Sequence, residues 1–229
     1  MSAEIVVHDL GRRRYGEVLE LMRAACRRRA AGGGEPDLLL LVEHQPVVTI
    51  GRGARPDSLP FPASVLEARG LELYQVERGG DVTLHAPGQL VGYPILDLTG
   101  WRRDLHWYLR QLEEVLIRAL AGVEIEAERI PGRTGVWTRG RKIASIGIHV
   151  KQWITMHGFA LNVMTDLSLF DWIVPCGIAG VRMTSVAGER PGLQDPWEQT
   201  RRAVVSAFGE VFERECEVPG AETPVAPLP

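Results

Sequence analysis

Gly135-Val-Trp-Thr-Arg-Gly-Arg-Lys-Ile-Ala-Ser-Ile-Gly-Ile-His-Val150 is the stretch that decides the fold. From Ile143 to Val150 the residues alternate strongly, which predicts a strand with one face buried. Arg139-Gly140 just before it reads as a hairpin turn after a first arm, Gly135–Thr138. Thr155 to Val163 reads as the next strand of the same sheet.

Working outward, Leu38 to Val42 is a continuous apolar run, the pattern of a strand covered on both faces. Val47 to Ile50 follows it after a Gln45-Pro46 break, and Leu71 to Val76 alternates again. The chain then enters a glycine-rich stretch, Arg78 to Gln89, and leaves through an apolar run ending near Leu98. Three segments read as helices. Arg12 to Arg29 carries an apolar stripe of Tyr15, Val18, Leu19, Met22 and Cys26, closes on three arginines and stops at Gly32-Gly33-Gly34. Leu105 to Leu120 is opened by Asp104, and Pro196 to about Glu213 buries Trp197, Val204, Phe208, Val211 and Phe212. With no internal repeat or linker, residues 1–216 read as one α/β domain, a mixed sheet flanked by helices. Residues 217–229 are too proline-rich to pack and read as a flexible tail.

A chain of 229 residues can bury one substantial core. Its formal net charge of −3 argues against general nucleic-acid binding, which would favour a basic domain. The first residues lack a secretory signal, and no apolar run reaches the ~18 residues of a membrane span. The expected location is the cytoplasm. Three scattered cysteines, Cys26, Cys176 and Cys216, make no disulfide framework and no metal-ligand spacing, so no metal is expected.

Each cysteine is judged by its neighbours. Cys26 lies on a helical apolar stripe, and Cys216 sits among glutamates, which disfavour a thiolate. Cys176 stands in Val174-Pro-Cys-Gly-Ile-Ala-Gly180, where proline fixes the approach and glycines permit a sharp turn. Neighbouring backbone N–H groups are expected to receive the carbonyl oxygen of an acyl group held there. Because only a thiolate attacks, the site needs a histidine or a cation nearby. His149, His157 and Lys142 all qualify; Lys142 is one of only two lysines, the other being Lys151. Asp81, Thr83 and His85 alternate with Val82 and Leu84 beside the flexible pair Gly79-Gly80, a pattern that fits either a pocket wall or a solvated strand face. The arginine clusters at 12–14, 27–29 and 201–202 read as solvated helix ends, with a weaker reading as a receiving surface for an acidic protein.

The ordered set Glu43-His-Gln-Pro46, Arg78-Gly-Gly-Asp-Val-Thr-Leu-His85, Pro87-Gly-Gln89, Gly140-Arg-Lys-Ile-Ala-Ser-Ile-Gly147, His157-Gly-Phe-Ala-Leu-Asn162 and Pro175-Cys-Gly-Ile178 resembles the lipoyl(octanoyl) transferase family. That resemblance implies a core similar to those of biotin protein ligases and lipoate–protein ligases. It implies that Cys176 takes octanoate from acyl carrier protein as a thioester, with Lys142 favouring the thiolate and shuttling protons. The acceptors it implies are lysines of lipoyl domains, in 2-oxoacid dehydrogenase complexes and the glycine cleavage H protein, served by a monomer. Substrate contacts would fall on Arg78, Gly79, Gly80, Asp81, Val82, Thr83, Leu84 and His85, on Ser145, Ile146 and Gly147, and on Gly158, Phe159 and Ala160. No cofactor is implied, since a thioester donor is already activated. Ala86 departs from the family, which usually has glycine there. Gly51-Arg-Gly-Ala-Arg55 is superficially similar to the loop of biotin ligases, so an ATP-dependent ligase is the alternative, and a non-catalytic acyl-chain binder a second one.

Overall fold

The computed structural model describes residues 4–32, 36–178 and 180–219. Gly33, Gly34, Ala179 and all but the first three residues of the expected tail lie outside them. In chain order the elements begin β1 (Ile5–Arg13), α1 (Tyr15–Ala30), β2 (Asp37–His44), β3 (Val47–Ile50) and α2 (Ala63–Glu67). They continue β4 (Glu72–Gln75), β5 (Val82–His85), β6 (Gln89–Ile95), α3 (Leu105–Gly122), β7 (Glu128–Ile130) and β8 (Arg133–Thr138). The last are β9 (Arg141–Lys151), β10 (Ile154–Asn162), α4 (Val186–Glu189), α5 (Pro196–Phe212) and β11 (Cys216–Glu217).

The main sheet runs β11-β1-β2-β6-β10-β9-β8-β7, and a small sheet runs β4-β3-β5. Both are mixed: β1 is parallel to β2 and β11, while β2, β6, β10, β9 and β8 follow one another antiparallel. The apolar run in β2 is explained by its two covered faces. Leu39 and Leu41 point into the core under α3 and α5, whereas Leu40 and Val42 point into the core under α1. Truncating such a leucine to alanine costs about 2–5 kcal/mol, because the cavity left behind adds to the lost transfer energy.

The β8–β9 hairpin closes where the sequence marks it. Arg139 and Gly140 both have positive φ (49° and 73°), the conformation a tight right-twisted hairpin demands. Asp104 caps α3 by accepting from the N–H groups of His106 and Trp107. Two boundaries differ from the sequence reading. Helix α1 starts at Tyr15, not Arg12, because Arg12 and Arg13 pair with Glu43 and His44 in strand β1. Glu217, assigned to the tail, pairs with Val6 in β11.

Candidate active site

Cys176 occupies a three-residue turn, Pro175–Gly177, at φ +56° and ψ +22°. A non-glycine residue held there costs about 1–3 kcal/mol, which the surroundings must offset. They do so through a polar latch. Ser58 O accepts from Val174 N at 2.9 Å, Ser58 Oγ donates to Asp81 Oδ2 at 2.7 Å, and Arg55 Nη2 donates to Gly177 O at 2.5 Å. Gly177 (φ +64°) cannot carry a side chain, since a Cβ would collide with the Asp81 carboxylate.

Lys142 reaches the same point from strand β9. Its main chain is bracketed by the segment that follows the cysteine turn: Lys142 N donates to Arg182 O (2.8 Å) and Lys142 O accepts from Thr184 N (2.9 Å). The β8–β9 register shifts here, with Trp137 opposite Lys142 and Val136 opposite Ala144. Such a bulge re-aims a side chain. Gly135 (φ +119°) leaves the room: a Cβ there would stand 2.8 Å from Lys142 Cε. Lys142 is 1% exposed. Its Nζ donates to Thr134 O (3.0 Å) and to Cys176 Sγ (3.1 Å), so residues 34 positions apart meet directly. Ser145 Oγ lies 3.8 Å from the same sulfur.

Behind the pair opens a cavity of about 260 Å³. Of the expected substrate contacts, Arg78, Gly80, Asp81, Thr83 and His85 line it. So do Ser145–Gly147 of β9 and Gly158–Ala160 of β10. Gly79 does not line it; Val82 and Leu84 point the other way, into the core behind the small sheet. The alternation in β5 therefore separates a cavity face from a packed face.

The wall is electrostatically unusual. The buried Arg78 guanidinium donates to Thr49 O (2.6 Å), Thr49 Oγ1 (2.9 Å) and Gly79 O (3.1 Å), and burial lowers its affinity for a proton. Burial also pushes His85 well below the usual histidine range, leaving it neutral. Its Nδ1–H donates to Gln89 Oε1 (2.8 Å), an orientation set by Gln89 Nε2 donating to Leu84 O and Asn162 Oδ1. His157, at φ +61°, is pushed down to about 4, first by burial and then by the Arg78 charge.

Of the three helpers the sequence leaves open for the thiol, Lys142 is the one that hydrogen-bonds Cys176. His157 lines the cavity, and His149 faces a separate cleft beside Lys151. Burial pushes the Cys26 thiol up to about 12 and that of Cys216 to about 11, so both stay protonated. The N–H groups of Gly177 and Ile178 donate within the turn, to Val174 O and Pro175 O.

Sequence reasoning missed Ser58 and Arg55 of the latch, and Glu113. That buried carboxylate on α3 accepts from Gly135 N (3.3 Å) while pairing with Arg110 and Arg129. A glutamate beside Leu112 and three positions before Leu116, at the edge of the apolar helix stripe, was the available signal. The Gly51–Arg55 loop packs on the Arg78–Asp81 stretch through Gly51 N to Asp81 O, Arg52 N to Arg78 O and Gly53 N to Gly80 O.

The lipoyl protein ligase A/B catalytic domain matches residues 14–209. The octanoyltransferase of Gloeobacter violaceus is 52% identical over 208 residues, covering 90% of this chain and 89% of that protein. The octanoyltransferase of Solibacter usitatus is 45% identical, covering 96% and 98%. Among solved structures, a putative lipoate protein ligase from T. acidophilum with bound lipoic acid superposes with TM-score 0.71 at 15% identity, covering 96% of this chain and 89% of that one. At that identity the likeness speaks for the shared fold, while the sequence relatives place the chain more narrowly. The chain belongs to the lipoyl protein ligase A/B catalytic-domain family and, within it, to the octanoyltransferases.

Proposed function

We propose that this protein transfers an octanoyl group from acyl carrier protein to Cys176 and then to a lysine of a lipoyl domain, as a step of lipoate biosynthesis. Octanoyl transfer follows from membership of the octanoyltransferases. The covalent route through Cys176 rests on one observation, the 3.1 Å contact between Lys142 Nζ and Cys176 Sγ at a cavity wall.

Attack needs Cys176 as its thiolate, for which an ammonium on Lys142 is the counter-charge. The Cys176 thiolate attacks the thioester carbonyl of the donor. The carrier thiolate leaves and takes a proton from Lys142, which becomes a neutral amine. The acceptor amine then attacks the Cys176 thioester and gives its surplus proton to Lys142. The Cys176 thiolate departs, the amide is complete, and both side chains are back in their first state. Lysine suits this because it can hold or release a proton, whereas arginine cannot. Ile146, Phe159 and Ala160 offer apolar surface to the acyl tail, each buried methylene contributing about 0.8 kcal/mol.

The reading extends to a single catalytic domain over residues 1–216, acting as a monomer in the cytoplasm. An ATP-dependent ligase on this fold would need no cysteine nucleophile, and the Gly51–Arg55 loop is occupied in holding the 78–81 stretch and the cysteine turn. Mixing the protein with octanoyl-acyl carrier protein, without ATP, should add one octanoyl group to the Cys176 peptide in the mass spectrum. Absence of that adduct, or its persistence in Cys176→Ala, would remove the covalent mechanism.

A further inference from the structure

Glu113 on α3 is a buried carboxylate that the transfer chemistry above leaves unused, and its two oxygens serve different partners. Oε2 accepts from Arg110 Nη1 (2.6 Å) and Arg129 Nε (3.1 Å), whereas Oε1 accepts from Gly135 N (3.3 Å). The peptide that supplies this N–H is trans, so its carbonyl, Thr134 O, points the opposite way. Thr134 O accepts from Lys142 Nζ (3.0 Å), which also donates to Cys176 Sγ (3.1 Å). Carboxylate, peptide, amine and sulfur thus make one chain from α3 to the nucleophile. A negative charge at the N–H end polarises the peptide and strengthens its carbonyl as an acceptor for an ammonium. Along this chain the carboxylate is nearer Lys142 than Cys176, so it favours the ammonium more than it opposes a thiolate. Neither arginine depends on Glu113 alone: Arg129 also donates to Glu114 Oε2 (2.7 Å), and Arg110 is exposed.

We infer that Glu113 is a positioning residue for acyl transfer: through the 134–135 peptide it holds Lys142 Nζ at the sulfur and favours its ammonium. This rests on the reading of Cys176 and Lys142 given above. Other charges surround the chain. Arg78, Asp81 and Arg133 line the cavity beside Cys176, where burial leaves His85 and His157 neutral. Arg182 flanks Lys142 on the returning segment, and Glu114 stands next to Glu113 on α3. All of these stay in place when the charge at 113 alone is changed, so a response to that change reports on Glu113.

The test is Glu113→Gln, whose amide oxygen can still accept from Gly135 N while the charge is gone. Lysine occurs only at 142 and 151, so isotopically labelled lysine gives two Cε signals by NMR, with exposed Lys151 as the internal control. Losing a negative charge favours the neutral amine. The Lys142 signal should therefore titrate about 0.5–1 pH unit lower than in the unaltered protein, with Lys151 unmoved. Single-turnover acylation of Cys176 by octanoyl-N-acetylcysteamine, followed by intact mass, needs the ammonium to protonate the leaving thiolate. Its alkaline limb should move down in pH with the NMR signal. Arg110→Gln removes a positive charge from the other side of the same carboxylate, so both readouts should move up, and by less because Arg110 is exposed. Slower acylation at every pH, with limb and signal unmoved, would make Glu113 only a strut between α3 and β8 and overturn the inference. Shifts of the same sign in both variants would overturn it too. If Glu113→Gln does not fold, Arg110→Gln decides: an upward shift supports the role and an unmoved signal ends it. No octanoyl adduct in the unaltered protein would sink the Cys176 reading, and this role with it, a result that neither variant can imitate.

Discussion

The two sides of the Cys176–Lys142 contact are held by different physics. Lys142 sits on a strand with neighbours on both sides, packed between Gly135 and Trp137, its main chain bracketed by Arg182 and Thr184. Moving it means moving the sheet. Cys176 sits on a short turn in a left-handed conformation, tied down by a handful of polar contacts from Ser58, Arg55 and Asp81. The comparison teaches where each job can be placed. The proton carrier keeps one position throughout, so a strand suits it. The nucleophile must change its substituent and accommodate an acyl group, so a latched loop suits it.

The strongest way to break that comparison is Lys142→Arg. It preserves charge but removes the group able to give and take a proton, and it forces a larger head into space bounded by Gly135. Acyl transfer should fall roughly 10²–10⁴-fold, the usual worth of a positioned acid–base group. Near-normal turnover at neutral pH would show that the buried amine acts only as a charge.

Ser58→Ala probes the loop side and sharpens the contrast. Ser58 is fully buried and does not line the cavity, so it acts through the turn. Losing its hydrogen bond to the Asp81 carboxylate should cost about 1.5–3 kcal/mol. The rate of Cys176 acylation should drop roughly tenfold, while the β9 amides near Lys142 keep their hydrogen-exchange protection. Equal loss of protection on both sides would mean that loop and strand form one unit, and the distinction would vanish.

How much of this was legible depends on the range of the interaction. Alternation from Ile143 to Val150 located β9, and the unbroken apolar run in β2 announced its two covered faces. Arg139-Gly140 announced the hairpin, and the ordered motifs placed Cys176 and Lys142 in one site. Interactions that cross the chain were silent. Arg12 and Arg13 look like a helix start until β2 supplies Glu43 and His44 as partners. The alternation at Thr83 and His85 fits a pocket wall or a solvated face equally until β9 and β10 close a cavity over them. Lys142 meets Cys176 because residues 182–184 return beside β9, a parallel bridge to Met183 that no local pattern encodes.

The smallest effect is expected at Ala86, where the family usually has glycine. Ala86 is fully buried against the core that contains Val48, Leu84, Phe170 and Ile173. Its φ is not positive, and the left-handed position in this turn belongs to Gly88 (φ +81°). Nothing in its backbone requires glycine, so the methyl group fills space and narrows the unfolded ensemble without strain. Ala86→Gly should therefore lower stability by about 1 kcal/mol, a fall in Tm of about 2–4 °C for a chain of this size. Acyl transfer should be unchanged, because Ala86 touches the packing behind the small sheet and not the cavity. A change in turnover larger than the change in stability would tie that packing to the cysteine turn, whose neighbour Ile173 lies in the same core. The loop side would then be held by its hydrophobic support as much as by its polar latch.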